Sequence, residues 1–410
     1  MNKPWKIVLA LLIALTASIS TLGAGTDFTL GIFGNANMDD TIDEKDVAYV
    51  EGVIKGTNAA TNLSDANYDG KIDNNDIIQI EQIIQGKDKE LTILDSGDRI
   101  LTVKKPVERI AFINTNVAEI LSILDSGDRV VGVPSSILDK YRELFPEMAD
   151  KPNVGGFTDP NYEKILEVNP QILINYPGKA PDLENNLKNT GVNVILLGFD
   201  HSGRSFDQEV ILLSYILEKR NEADDFINWK EQYRNLIEDR LKSLKDEEKV
   251  RVFLSRDSME YLFQTGTQGT AYHEVVTIAG GNNIAADLGS KQYLNVDPEW
   301  VMEQNPAAIM LMGFTATGYQ QLNDTEAKAI WENALNQPIL NQTDAGKQGR
   351  LYVLNHYLAT TRLDIGICYV AKWLYPKIFK DLHPEEINRE FFERFLHSKY
   401  KGVYAYPLPE

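Results

Sequence analysis

Apolar positions fall into two spacings along the chain. From residue 91 on, short runs rich in Val, Ile and Leu alternate with stretches whose apolar residues recur at helical spacing. Runs at 109–114, 130–134, 171–176 and 192–199 predict one series of strands, and runs at 250–256, 261–265, 307–314 and 351–355 a second. Their continuous apolar character fits strands buried on both faces, as in parallel sheets covered by helices. Alternation with helices makes the class α/β. A small hairpin is expected over 91–102, turning at Ser96-Gly97. Between the two series, 206–248 reads as helical. Residues 221–244 hold neither Gly nor Pro, and Ala223, Phe226, Trp229, Tyr233, Ile237 and Leu241 recur near helical spacing. A helix of about 24 residues spans roughly 36 Å at 1.5 Å per residue, a strut rather than a slack linker.

The two series echo each other. Glu163-Lys-Ile-Leu-Glu-Val-Asn169-Pro170 matches Glu299-Trp-Val-Met-Glu-Gln-Asn305-Pro306 at an offset of 136, and an Asp-Pro precedes each copy. Each copy reads as a helix stopped before proline and then a buried strand. Two similar lobes on one rigid helix leave a cleft between facing strand ends, the usual place for a ligand.

At the start of the chain, Lys3 and Lys6 precede an apolar run over 7–17 and small residues over 18–26. That order reads as an export signal over 1–25, with an uncleaved anchor as the alternative. The body is therefore expected outside the cytoplasm, secreted, periplasmic or held at the cell surface. With 43% hydrophobic and 25% charged residues, 410 residues give room for two or three folded domains. The net charge of −19 excludes a global nucleic-acid footprint. A single cysteine, Cys368, excludes a disulfide framework, a cysteine-rich zinc site and an iron–sulfur cluster.

The charge is uneven. Residues 27–90 carry 14 acidic and 5 basic side chains. The same stretch holds a repeat at an offset of 30: Asn35, Asn37, Asp39, Thr41, Asp43 and Asp46, then Asp65, Asn67, Asp69, Lys71, Asp73 and Asp76. These are positions 1, 3, 5, 7, 9 and 12 of a calcium loop, where side-chain oxygens and one carbonyl, at position 7, wrap a hard cation. Gly70 sits at position 6, where the chain turns sharply; Asp40 takes that place in the first loop. An amphipathic helix follows each loop, with Val47, Val50, Val53 and Ile54, then Ile77, Ile80, Ile83 and Ile84. Two loop-plus-helix repeats with Asp at position 12 resemble a dockerin module over about 31–86. The resemblance implies two bound calcium ions and a cohesin-domain partner. The plainer alternatives are acidic turns that cap helices, or calcium that only folds a small domain.

The remainder resembles the helical-backbone substrate-binding proteins of ABC importers. The carrying features are Pro106-Val-Glu-Arg109-Ile, Gly155-Gly156-Phe157-Thr-Asp-Pro160, the Asn-Pro repeats and Ala279-Gly280-Gly281-Asn282-Asn283-Ile284. The tail Ala371-Lys372-Trp373-Leu-Tyr-Pro376, with Leu382-His-Pro-Glu-Glu386, is similar to the iron-complex branch. The resemblance implies two Rossmann-like lobes joined by a long helix, with a small all-α calcium-loop module in front. It also implies capture of a metal chelate, of the iron(III)–siderophore type or else cobalamin or haem, and delivery to a membrane permease driven by its ATPase. The expected divisions are 1–25, 27–90, 91–205, 206–248 and 249–410.

Loops beyond the carboxyl ends of the strands should line the cleft. They offer Asn116, Phe157, Tyr176, Asp200 and His201 in the first lobe. In the second they offer Arg256, Tyr272, His273, Phe314, His356, Tyr357 and Arg362. Aromatic surface with a few charges suits a bulky chelate held by stacking and polar contacts, and both arginines suit anionic oxygens. His273 has a plainer role in bonding backbone at a helix start, and Arg362 in pairing with Asp364. Direct coordination by Tyr and His would need three or more convergent groups, whereas a chelated metal needs none. By the resemblance, Asp182/Glu184 and Asp324/Glu326 are candidates for docking on permease arginines.

Enzymatic readings have less support. Asp159/Glu163 could be read as paired acids, but Glu163 has a repeat copy at Glu299, which points to helix structure. His273-Glu274 begins like a zinc-protease helix, yet residue 277 is Thr where a second His is required. Neither a Gly-x-Ser-x-Gly elbow nor a Walker loop occurs. A cell-surface scaffold is the third class.

Overall fold

The computed structural model describes residues 28–177, 181–198, 206–290 and 292–409. The signal expected over 1–25 and the candidates Asp200 and His201 lie outside them. The hairpin forms as expected: β1 (Glu90–Leu94) pairs antiparallel with β2 (Ile100–Lys104), with Glu90 opposite Lys104.

The first lobe is a four-stranded parallel sheet of β3 (Ile110–Phe112), β4 (Val130–Gly132), β5 (Ile172–Asn175) and β6 (Asn193–Leu196), in the order β4-β3-β5-β6. Its residues alternate between two cores. Ile110, Phe112, Ile172, Ile174 and Ile195 enter the main core, whereas Ala111, Leu173, Val194 and Leu196 enter a separate one on the other face. Burial on both faces is why these runs are apolar throughout.

In the second lobe the strands are β7 (Arg251–Arg256), β8 (Gln264–Gly266), β9 (Asn282–Asn283), β10 (Tyr293–Asn295), β11 (Ala308–Gly313), β12 (Leu351–Asn355) and β13 (Ala405–Tyr406). The main sheet runs β13-β12-β11-β7-β9, parallel except for β13. Val252, Leu254, Met310 and Leu354 face the main core, and Phe253, Ile309, Leu311 and Val353 the opposite one. The run expected as a strand at 261–265 does not join this sheet. Met259–Tyr261 forms a 3-10 turn, and β8 pairs instead with β10 as a separate ribbon. Tyr261 is exposed in that run, so it lacks the two-sided apolar surface that a central strand needs.

The stretch 206–248, expected to be helical, carries two α-helices, and the second is the strut expected over 221–244. Phe206–Leu217 and Arg220–Leu241 are broken at Glu218, whose backbone is left-handed at φ 59°. The second has 22 residues, about 33 Å long at 1.5 Å per residue. Its buried Lys230 pairs with Asp207 of the first helix and, at 2.8 Å, with Asp364 of the second-lobe helix Leu363–Leu374. Arg234 also bonds Asp364, at 2.8 Å. The strut is thus ion-paired to the second lobe within one shared hydrophobic core.

The internal repeat is real in three dimensions. Helices Tyr162–Val168 and Pro298–Gln304 each end on a left-handed asparagine, Asn169 at φ 47° and Asn305 at φ 46°, and lead into β5 and β11. No helix among the described residues is long and apolar enough to cross a membrane.

The front segment carries the two helices expected, Glu44–Ile54 and Asn74–Gln85, each opened by a reciprocal capping box, Asp43 with Asp46 and Asp73 with Asp76. Its core does not end at residue 90. Ile32 bridges Ile93, Phe33 N–H donates to the Thr92 carbonyl and Leu94 N–H to that of Gly31, so the segment extends the hairpin. Leu30, Val50, Ile80 and Ile83 belong to the same core as both lobes. Tyr215 Oη accepts the Ile42 N–H at 3.1 Å, and Arg220 Nη2 donates to the Ile84 carbonyl at 2.7 Å.

Candidate ligand cleft between the lobes

The strand ends of the second lobe assemble an aromatic cluster. Arg256 ends β7, Phe314 follows β11, and His356 follows β12 in a 3-10 turn that Asn355 caps by accepting the Tyr357 N–H at 3.1 Å. Tyr272 comes from the helix Ala271–Ile278, whose start is capped by Thr270. Tyr272 Oη and His356 Nδ1 lie 3.1 Å apart. The Phe314 ring centre is 4.1 Å from that of His356 and 5.6 Å from that of Tyr357. Phe314 is nevertheless 53% exposed, a large apolar ring presented to solvent. Burial pushes the Tyr272 phenol well up against the opposing pull of Arg256, so it stays a neutral donor.

Arg256 stands over two rings, 5.6 Å from the centre of Tyr272 and 5.8 Å from that of Tyr293. Among the described residues its guanidinium has no carboxylate partner, which leaves a half-buried cation at a strand end. Tyr293, from β10, was missed by sequence reasoning. Nothing near it in the sequence marks a strand end, because it arrives on the ribbon partner of β8.

His273 does not join this cluster. Neighbours on a helix point about 100° apart, so Tyr272 faces His356 while His273 Nδ1 lies 3.1 Å from Asn283 Nδ2. Burial lowers its pKa, keeping the imidazole neutral. In the first lobe, Phe157 and Tyr176 form a ring pair of their own at 5.6 Å.

Tyr357 borders the cluster and also reaches a nearly filled junction of the lobes, where it meets Asn116 and Arg362. With Glu119, Tyr141 and Tyr319 they line a pocket of about 20 Å³, room for one water molecule. Arg362 does not face the open cleft, nor does it pair with Asp364. Its guanidinium is ion-paired with buried Glu119 of the opposite lobe, which also accepts the Thr361 hydroxyl at 3.1 Å. Four rings wall it in: Phe392, Phe391, Tyr357 and Tyr404, at 4.8, 5.0, 5.5 and 5.6 Å. Glu119 did carry a signal, an acid inside the otherwise apolar first turns of Val117–Ile123.

Of the docking candidates, Glu184 is ion-paired with Arg99, the Asp182 side chain lies outside the described residues, and Asp324 and Glu326 are exposed at a helix start.

In the front segment the position-12 acids turn inward. Asp46 accepts the N–H groups of Asn37 and Asp43, and Asp76 those of Asn67 and Asp73. Asp65 accepts those of Asp69 and Gly70. Among the described residues, no three His, Cys, Asp or Glu side chains are already gathered as a metal cage. Two groups in the first loop are nonetheless poorly satisfied. Asn35 is fully buried with an Oδ1 that accepts no hydrogen bond, and burial pushes the Asp46 carboxyl up to about 6. Both are hard oxygens that a cation would relieve, so the donor chemistry fits calcium.

Two lobes of parallel sheet on a helical strut, with Asn116 after β3 and Tyr357 after β12 lining one pocket between them, are the frame of a solute receptor. The model of a family described as periplasmic binding protein matches residues 110–358, more than half the chain. The chain belongs to the periplasmic binding protein family. By that membership it is the substrate-binding component of an ABC transporter; the relatives it matches are periplasmic solute-binding proteins, which are not enzymes. The binding protein is 22% identical over 289 residues to the molybdate-binding protein MolA of Haemophilus influenzae, covering 64% of this chain and 77% of MolA. Among solved structures, it is similar to the TroA-like periplasmic binding protein FepB of Veillonella parvula, with a TM-score of 0.64, 22% identity and coverage of 77% of this chain and 98% of FepB. Helicobacter pylori CeuE, in a nickel–histidine complex, has a TM-score of 0.56 at 16% identity, covering 75% of this chain and 96% of CeuE.

Proposed function

We propose that this binding protein captures a metal chelate, of the iron(III)–siderophore type, in the cleft and hands it to its permease. Cobalamin and haem are the alternatives on the same frame. The observation that carries this reading is the cluster of Arg256, Tyr272, Tyr293, Phe314 and His356, a cation set among rings and without a carboxylate partner among the described residues. Flat aromatic faces stack on a bulky, partly apolar ligand, and the guanidinium takes an anionic oxygen of it. A bare oxyanion such as molybdate, which the Haemophilus influenzae relative is named for binding, calls instead for several converging N–H donors in a small site. Direct coordination of the metal by Tyr or His is not required.

The test is a tryptophan-fluorescence titration of the full chain with ferric tris-catecholate, ferric hydroxamate, cobalamin, haem, molybdate and free metal ions. Saturable one-site binding of a ferric chelate supports the reading. Saturation by molybdate alone, with no response to any chelate, overturns it.

In the same proposal the front segment is a dockerin-like calcium module with a cohesin-domain partner, which would position the receptor at the cell surface. Asn35, Asn37, Asp39, Asp43 and Asp46, with the Thr41 carbonyl, would hold one ion. Asp65, Asn67, Asp69, Asp73 and Asp76, with the Lys71 carbonyl, would hold the other. Calcium would supply the countercharge that the buried Asp46 lacks. Calorimetric titration should show calcium binding and a higher Tm for the whole chain, because the segment shares its core with the lobes. No heat and no shift would leave the loops as capping turns.

A further inference from the structure

Phe314 is half exposed yet held at a fixed place, and the holding group is not in the cleft. Asp257 follows β7 and is 3% exposed. Its Oδ2 accepts two backbone N–H groups from the turn after β11, from Thr315 at 2.7 Å and Ala316 at 3.0 Å. Its own N–H donates to the Met312 carbonyl at 3.2 Å. Among the described residues no cation pairs with this carboxylate, so the two N–H groups are what make its burial tolerable. The fit is close on the other side as well. A Cβ at Gly313 would fall 1.9 Å from Asp257 Oδ1, so residue 313 must be glycine for the carboxylate to reach the turn.

We infer that Asp257 is the positioning residue of the cleft, setting the turn at 313–316 so that Phe314 is presented on His356 rather than collapsed onto the lobe. This rests on the reading of the ring cluster as the cargo surface, and it adds how that surface is kept open without cargo. A large ring left in water would ordinarily fold back to cover itself. Here the turn bearing it is bonded from beneath at both residues that follow it. Both bonds use one oxygen, so the requirement is an acceptor at that point and not a negative charge.

The experiment uses a Phe314→Trp reporter in the full chain, read by emission maximum and by acrylamide quenching without cargo. Adding Asp257→Ala should shift the emission and change the quenching constant at least twofold. Adding Asp257→Asn, which keeps one acceptor oxygen, should restore both. Gly313→Ala should reproduce the Asp257→Ala signal without removing a buried carboxylate, which covers the case in which Asp257→Ala does not fold. A reporter signal unmoved by both Asp257→Ala and Gly313→Ala overturns the inference. So does an Asp257→Asn signal that matches Asp257→Ala. A second arm measures ferric tris-catecholate affinity on the Phe314 background. Asp257→Ala should weaken binding about tenfold where Phe314 is present and leave it unchanged beside Phe314→Ala, the non-additivity expected of residues that act as one unit. If the parent binds no chelate, the cargo reading falls, while the reporter arm still decides the role of Asp257.

Discussion

Replacing Glu119 by alanine should be among the most destabilising single changes in the molecule. Arg362 is 4% exposed, and Glu119 is its one carboxylate partner among the described residues. Removing one member of a buried ion pair costs about 3–5 kcal/mol, because the remaining charge stays desolvated and unpaired. The lost Thr361 hydroxyl bond adds about 1 kcal/mol. The four surrounding rings offset part of this, at up to about 2 kcal/mol for a desolvated cation–π contact. The net expectation is about 3 kcal/mol. Glu119→Leu combined with Arg362→Met should recover to within about 1 kcal/mol of the parent, since neither charge is then buried alone. Urea unfolding followed by far-UV circular dichroism measures all three chains, with m values checked for a common transition. A loss below about 1 kcal/mol for Glu119→Ala would mean that the pair is hydrated and does not join the lobes. A double variant as unstable as the single would place the damage in packing and refute the charge argument.

Three further outcomes follow from other parts of the fold. Burial alone would raise the Asp364 carboxyl, but Lys230 and Arg234 prevail and hold it below the ordinary range. Its stabilising effect is therefore full above the unfolded carboxylate pKa and lost as pH falls through the lower folded value. The stability gap between parent and Asp364→Asn should accordingly shrink from about pH 5 to about pH 3 in urea titrations. Asn305→Ala should cost about 1 kcal/mol by the same assay, since alanine is strained at φ 46° where glycine is not, and Asn305→Gly should be near neutral. Arg256→Gln should weaken a ferric tris-catecholate about tenfold and remove most of the salt dependence of its binding, measured at two ionic strengths; unchanged affinity would take Arg256 out of the site.

Much of the architecture was legible in the residues. Both strand series, the Asn-Pro repeat and the small hairpin are written in windows of a few residues, where burial on both faces and turn chemistry leave clear marks. The misreadings have local causes too. The run at 261–265 is apolar enough to be taken for a strand, but Tyr261 faces solvent. The helical reading of 206–248 did not mark the break at Glu218-Lys219, because no Gly or Pro stands there and the left-handed turn falls on an ordinary residue.

The candidate site divides the same way. Strand-end position marked Arg256, Tyr272, Phe314 and His356 as candidates, and the structure brings these side chains together, because topology gathers the ends of parallel strands. What the sequence by itself determined is the set of elements, the duplicated lobe and the family. Only the tertiary structure decided which side chains meet: Tyr272 with His356 across 84 residues, Arg362 with Glu119 across 243, and the front segment with Tyr215 across 173. Helical phase turned His273 away from its neighbour, and the pairing of β10 with β8 brought Tyr293 in. Periodicity and capping are properties of a few consecutive residues, whereas a contact over such separations exists only once both elements have packed on a common core.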